Sequence, residues 1–353
     1  MSDVFDAIDE LHTSLMDDLD VRDGGCRWWA GFHDWPRLVL INDYLIGSTS
    51  QLRKVVELRQ HHVDEFKEKW EHEKYRIRVA QGTKDDGYPQ AGETEKDVKR
   101  RLRLEVAVRG FFDCAAHSLD LLGAIFLGVS AIKLPIQTHS WANFGKAERS
   151  VGQRARTVLD IHGSEGRTRQ EEVIRAIRRT IPVEPSGWLE WTLQMRNTLL
   201  HRAGRIVMVV HTHRTSVSSR DEAPFYLLPA YPHNSDATDM AFSTHAKDIY
   251  LATHALDIMK LVGDNLDQLL SSSARLLAEL WLERRHKPEL LVQPGEQWPL
   301  VTKPDRTQRP GFPADISWPR GGTLAANPQT SARWQAAKFD DSAVRRYWGT
   351  VRE

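Results

Sequence analysis

The chain has 353 residues, 41% of them hydrophobic and 27% charged, with 48 basic residues set against 48 acidic ones. That length and apolar share allow a large buried core and exclude an intrinsically disordered chain. Zero net charge excludes a global pull toward nucleic acid, so any RNA-binding surface must be a local concentration of Arg and Lys.

The N-terminal run Met1-Ser2-Asp3-Val4-Phe5 lacks the basic-then-apolar profile of a signal peptide. The longest apolar candidate, Leu119 to Leu134, is short for a bilayer span and is interrupted by Asp120. The expectation is a cytoplasmic chain with no membrane partner. Residues 3–19 place Phe5, Ile8, Leu11 and Leu15 at helical spacing before a turn at Asp23-Gly24-Gly25, so residues 1–33 read as an N-terminal helix and turn. A second helix starts near Asp34 with Pro36 in its first turn, where a missing N–H costs nothing, and runs to about Val79. Its later part, Glu65 to Arg78, mixes both charge signs with Phe66, Trp70 and Ile77, the pattern of an exposed arm, and His61-His62 sits on a solvated face. Gly82 to Gly92 reads as a loop.

Leu104, Val108, Phe111, Ala115, Leu119, Leu122, Phe126 and Val129 then form a continuous stripe at spacings of three and four, a core helix ended by Pro135. Cys114 lies inside it. With Cys26 it makes neither a disulfide scaffold nor a zinc ligand set. A short helix is expected near 144–159 and a turn or two at Glu171 to Arg179, before Pro182 and Pro185. Ser186 reads as an N-cap, with Glu190 one turn on, opening a helix to about Ala203 that Gly204 stops. The β-branched run Ile206 to Val210 and Phe225 to Leu228 read as the strands of a small β-hairpin at about 206–228. A last long helix covers Ala241 to Arg285, with Ile249, Ala252, Leu256, Met259, Val262, Leu266, Leu269, Leu276 and Leu280 inward. From residue 286 to 353 the prolines at 288, 294, 299, 304, 310, 313 and 319 exclude regular helix over most of the stretch, while Trp298, Phe312 and Trp318 suit an irregular extension docked on the main domain, 34–285.

One helix carries a constellation with chemical meaning. At roughly 100° per residue, Asn197 and His201 lie one turn apart on one face, and Arg196 sits at its edge with a side chain long enough to reach the imidazole. An imidazole can exchange protons with a 2′-hydroxyl or a leaving 5′-oxygen. A guanidinium can hold a phosphate as its charge builds, and a carboxamide can orient either partner. Cleavage of an RNA phosphodiester needs no metal or other cofactor from such a set.

At these residues the sequence resembles the HEPN superfamily, helical proteins with an Arg, a polar residue after it, and a His four to six positions beyond the Arg. The match is Arg196, Asn197 and His201, and the order of long helices over 34–285 is similar to the family's helical bundle. The resemblance implies a mainly α, HEPN-like bundle acting as a metal-independent endoribonuclease that leaves 2′,3′-cyclic phosphate and 5′-hydroxyl ends. It further implies a homodimer, a toxin or phage-defence setting with an antitoxin or defence partner, and Arg202 as an auxiliary phosphate contact. The β-hairpin and the C-terminal extension have no counterpart in that plan.

Other readings accompany this one. Arg27/His33, Arg156/His162 and Arg205/His211 share the loose spacing, but none has an amide or acidic follower on an amphipathic helix. Arg196 and His201 can also be an inter-helix polar pair, which makes the chain a non-catalytic HEPN-like dimerisation or binding module. His211 and His213 have a spacing used by zinc sites, the basis for a metal-dependent hydrolase, although no third ligand is identifiable. Trp188 and Trp191 read as core packing before base-stacking platforms. The basic runs Lys99 to Arg103 and Arg175 to Arg179 suit a solvated face or an RNA-backbone patch equally.

Overall fold

Apolar residues recurring every three or four positions bury as helix faces. The computed structural model follows that rule over the residues it describes: 2–17, 35–82, 95–130, 132, 140–153, 159, 163–201, 207–209, 225–231 and 250–286. Within these, Leu200, His201 and several other residues near element ends are described by backbone alone. Among the described residues the fold is mainly α, with seven helices: α1 (Ser2–Asp17), α2 (Trp35–Gly82), α3 (Glu95–Val129), α4 (Trp141–Ser150), α5 (Gly163–Thr180), α6 (Trp188–His201) and α7 (Ala255–His286). Between α6 and α7, β1 (Val207–Val209) pairs antiparallel with β2 (Phe225–Leu227), Met208 opposite Tyr226.

The chain divides into two compact units, and α2, α3 and α7 each run through both. The first is built from Met1–Gln51, Asp120–Thr180 and Ser271–Glu353. Its core gathers Ile8, Leu11 and Leu15 of α1 with Phe126, Phe144, Ile177 and Trp281, all buried. Phe144 stacks on Trp141 and meets Phe126 edge-on. Polar ties join the helices: His12 Nδ1 lies 2.8 Å from Thr49 Oγ1, the Gln170 amide donates to Ser130 O at 2.9 Å, and Arg169 pairs with Glu283.

The second unit comprises Leu52–Leu119 and Ile181–Leu270. Its core is formed by Val56, Val63 and Phe66 of α2, Phe111 and Phe112 of α3, Met195 of α6 and Leu266 of α7, with Tyr226. A buried guanidinium, Arg59, pairs with Asp267 across α2 and α7. Arg100 reaches Glu73 at 3.4 Å and so ties α3 to α2.

Several expected boundaries move. The α3 stripe is buried at all eight expected positions, but the helix ends at Val129, where the Ser130 N–H closes the last turn onto Phe126 O, well short of Pro135. By length and composition Val98–Val129 is long and apolar enough to cross a membrane, and 78% of its apolar window is buried, as in a core helix. Helix α4 spans 141–150 instead of 144–159, because Asp120 Oδ1 accepts the Trp141 N–H and fixes its start. Helix α5 begins at Gly163, not Glu171, supported in its polar first half by i,i+4 pairs from Glu171 to Arg167 and Arg175.

At the start of α6, Gly187 precedes the first helical residue instead of Ser186. Its φ of +76° suits glycine, and its carbonyl accepts the Trp191 N–H. Helix α7 begins at Ala255, not Ala241, because Tyr250 is bridged to Pro229 and Leu251 donates to Leu228 O. Ala252 is accordingly exposed, outside the helix. Phe66, placed on an exposed arm by its charged neighbours, is fully buried. The turn at 23–25, the loop at 83–92, the strand-joining residues 210–224 and the extension after 286 lie outside the described residues.

Candidate functional site

Helix α6 is oriented by its apolar side. Trp188, Thr192, Met195 and Leu199 fall at i, i+4, i+7 and i+11 and are all buried. Trp188 donates its indole N–H to Pro182 O at 2.9 Å. Trp191 donates to Pro229 O at 3.2 Å and meets Phe112 of α3 edge-on, ring centroids 5.5 Å apart. Both indoles are therefore packing and anchoring groups, in line with the core reading.

That seating turns Arg196 and Asn197 away from the core. Asn197 is exposed, and the Arg196 side chain is 35% accessible. Arg196 Nη1 donates to Asn197 Oδ1 at 3.1 Å, so two members of the expected trio do meet. Helix α6 continues unbroken to His201, which sets the His201 backbone one turn beyond Asn197. Arg202 lies outside the described residues, as do His211, His213, Arg27, His33, Arg156, His162 and Arg205.

The neighbouring helices add groups that were not anticipated. Asp113 of α3 puts Oδ1 3.7 Å from Arg196 Nε. That nitrogen is closed to solvent and has no hydrogen-bond partner among the described residues. The fork is thus held along its Nε edge by a carboxylate and at Nη1 by an amide.

One turn before Asp113 on α3 is Gly110, and the His62 ring of α2 occupies the space that a Cβ there would need. His62 is not solvated as expected. Its side chain is 21% accessible and its Nδ1 is buried with no hydrogen-bond partner among the described residues. Glu65 Oε2 stands 3.9 Å from that nitrogen. Burial pushes the imidazole below its ordinary pKa, and His61 adds to this, while the Glu65 and Asp113 carboxylates oppose it. The one sequence signal for this contact is a glycine inside an apolar helical stripe, which often marks close approach of another chain segment.

Cys114 neighbours the cluster but is no activated nucleophile, since burial and Asp113 both push its thiol up. The basic runs are partly neutralised by neighbours. Lys99 pairs with Glu95, Arg175 with Glu171 and Arg178 with Glu148. Comparison of the chain with protein-family models, with curated proteins and with solved structures finds no match.

Proposed function

We propose that the chain is a HEPN-like, metal-independent endoribonuclease, acting in the cytoplasm as a homodimer in a toxin or phage-defence setting. The observation that carries this reading is the Arg196–Asn197 contact on a helix that continues unbroken to His201. Arg196 binds the scissile phosphate and offsets the charge that gathers on it in the transition state. His201 transfers a proton to or from the reacting oxygens, Asn197 orients the guanidinium and the substrate, and Arg202 adds a phosphate contact. The 2′-oxygen attacks phosphorus as the P–O5′ bond breaks, giving a 2′,3′-cyclic phosphate and a 5′-hydroxyl.

A second reading is a non-catalytic HEPN-like module that binds RNA or protein. It is favoured by the partners Arg196 already has, Asp113 and Asn197, which suit a structural polar pair. Purified protein incubated with total RNA in EDTA separates the two. The nuclease reading expects cleavage with 5′-hydroxyl and cyclic-phosphate ends, slowed at least about 100-fold in an Arg196→Ala/His201→Ala variant that still folds. No cleavage, or activity lost in EDTA and restored by zinc, sinks it.

A further inference from the structure

The fold treats the basic residues of the chain unequally. Arg175 and Arg178 are paired with Glu171 and Glu148, and Lys99 with Glu95. Arg103 and Arg109 of α3 are exposed and have no ion-pair partner among the described residues. We infer that the outer face of α3 from Val98 to Arg109 is a track for single-stranded RNA, with Arg109 and Arg103 holding phosphates next to the one bound at Arg196. The inference rests on the reading of Arg196 as the phosphate-binding group of a ribonuclease.

The face is continuous with that group. Val98, Leu102 and Val106 recur every fourth residue and are 45%, 57% and 50% exposed, while Leu104, Val108 and Phe111 on the other side of the helix are core. Arg109 and Asp113 follow on the same outer face, seven and eleven residues after Leu102. Asp113 in turn stands 3.7 Å from Arg196 Nε. At a rise of about 1.5 Å per residue, Arg109 lies about 6 Å and Arg103 about 15 Å from Asp113 along the helix axis. A few nucleotides of an extended strand span such intervals. Every one of these residues belongs to the second unit.

Charge selects the occupant. Among the described side chains of residues 95–109, Lys96, Lys99, Arg101, Arg103 and Arg109 are exposed, and Glu95 is the exposed acid. A second copy laid on this face would bring like charges together, which opposes docking. A single strand of RNA matches both features of the face. Its phosphates neutralise the guanidinia and release counterions, and its bases lay flat rings on Leu102 and Val106. Asp113 does not repel the strand as a lone carboxylate would, because Arg196 balances its charge. Neither Leu nor Val can hydrogen-bond a base edge, so the track reads no sequence.

Fluorescence anisotropy with an uncleavable 2′-O-methyl RNA of about 12 nucleotides, titrated over a range of salt, tests the track. Wild type is compared with Arg103→Ala, Arg109→Ala and Leu102→Ser, and with Arg175→Ala as the control on a paired arginine. Circular dichroism verifies folding. Arg103→Ala and Arg109→Ala should each weaken binding about 5-fold and flatten the slope of log Kd against log salt by about 0.7, the share of one phosphate contact on a single strand. Leu102→Ser should weaken binding with the slope unchanged, since no charge is removed. Arg175→Ala should match wild type. With cleavable RNA, the Arg103 and Arg109 variants should raise KM and leave kcat within about 2-fold, the mark of lost uniform binding.

If both variants keep the wild-type affinity and slope, or if Arg175→Ala loses as much as they do, the inference is overturned, and cleavage by wild type leaves the nuclease reading standing. A lower molar mass of Leu102→Ser by light scattering, with RNA binding unchanged, gives the face to a second copy and overturns the inference too. If wild type cuts no RNA but the stated losses of binding are found, the nuclease reading falls and the track stands as the RNA-binding face of the second reading.

Discussion

At the scale of single residues, Arg59 is a demanding position among the described residues. Its side chain is 3% accessible, its partner Asp267 is 22% accessible, and Arg59 Nη1 has no hydrogen-bond partner among the described residues. Removing one member of a buried pair leaves the other charge uncompensated, which costs more than removing both. Asp267→Ala should therefore lower stability by about 3–5 kcal/mol, while Arg59→Met/Asp267→Leu should recover most of that loss. Urea denaturation of the three proteins measures both values. Equal losses in the single and the double variant would show that the pair makes no such demand. Arg59 was invisible to sequence reasoning because a lone Arg on a charged helix face looks solvated until a neighbouring helix covers it.

At the scale of elements, the start of α7 is capped by one histidine. His254 Nδ1 accepts the Leu256 N–H at 2.9 Å, and His254 O accepts the Asp257 and Ile258 N–H groups. Its ring lies among Phe66, Trp70 and Tyr226. Burial lowers its pKa, with Lys260 acting in the same direction and Asp257 against it. Below the ordinary imidazole pKa of about 6.5 the unfolded chain binds a proton that the folded chain does not, so stability rises with pH through that range. The contribution is fully present above about pH 6.5 and is lost as pH falls toward the depressed folded value.

Protonation also converts Nδ1 from acceptor to donor and breaks the cap. His254→Ala should lower stability by about 1–2 kcal/mol at pH 7.5 and flatten the loss between pH 6.5 and 5, read by thermal melts across that range. An unchanged slope would remove His254 as its source. The long helix was legible from its apolar spacing, but its start was not. A 3.6-residue pattern extends backward through Ile249 and Ala252, and among the described residues the Pro229–Tyr250 bridge and the Leu251 N–H bond to Leu228 O interrupt it.

At the scale of the whole molecule, equal numbers of acidic and basic residues place the isoelectric point near 7.3. Charge repulsion between copies is weakest there, so solubility at low salt should pass through a minimum close to pH 7.3 and rise toward pH 5.5 and pH 9. Polyethylene glycol precipitation across that range provides the measure, and a minimum displaced by two pH units would contradict it. The same balance directs attention to local groupings such as Arg196 with Asp113, because no net field selects a ligand.

The amino-acid sequence by itself determined the mainly helical class and the apolar stripe of α3. It also determined the helical setting of Arg196, Asn197 and His201, because side-chain periodicity and helix propensity act over a few neighbouring residues. Tertiary structure alone decided that Phe66 is core, that His62 leaves solvent to pack on Gly110, and that Asp113 meets Arg196. Those outcomes depend on which helix faces are brought together from distant parts of the chain, and local spacing carries no record of that pairing.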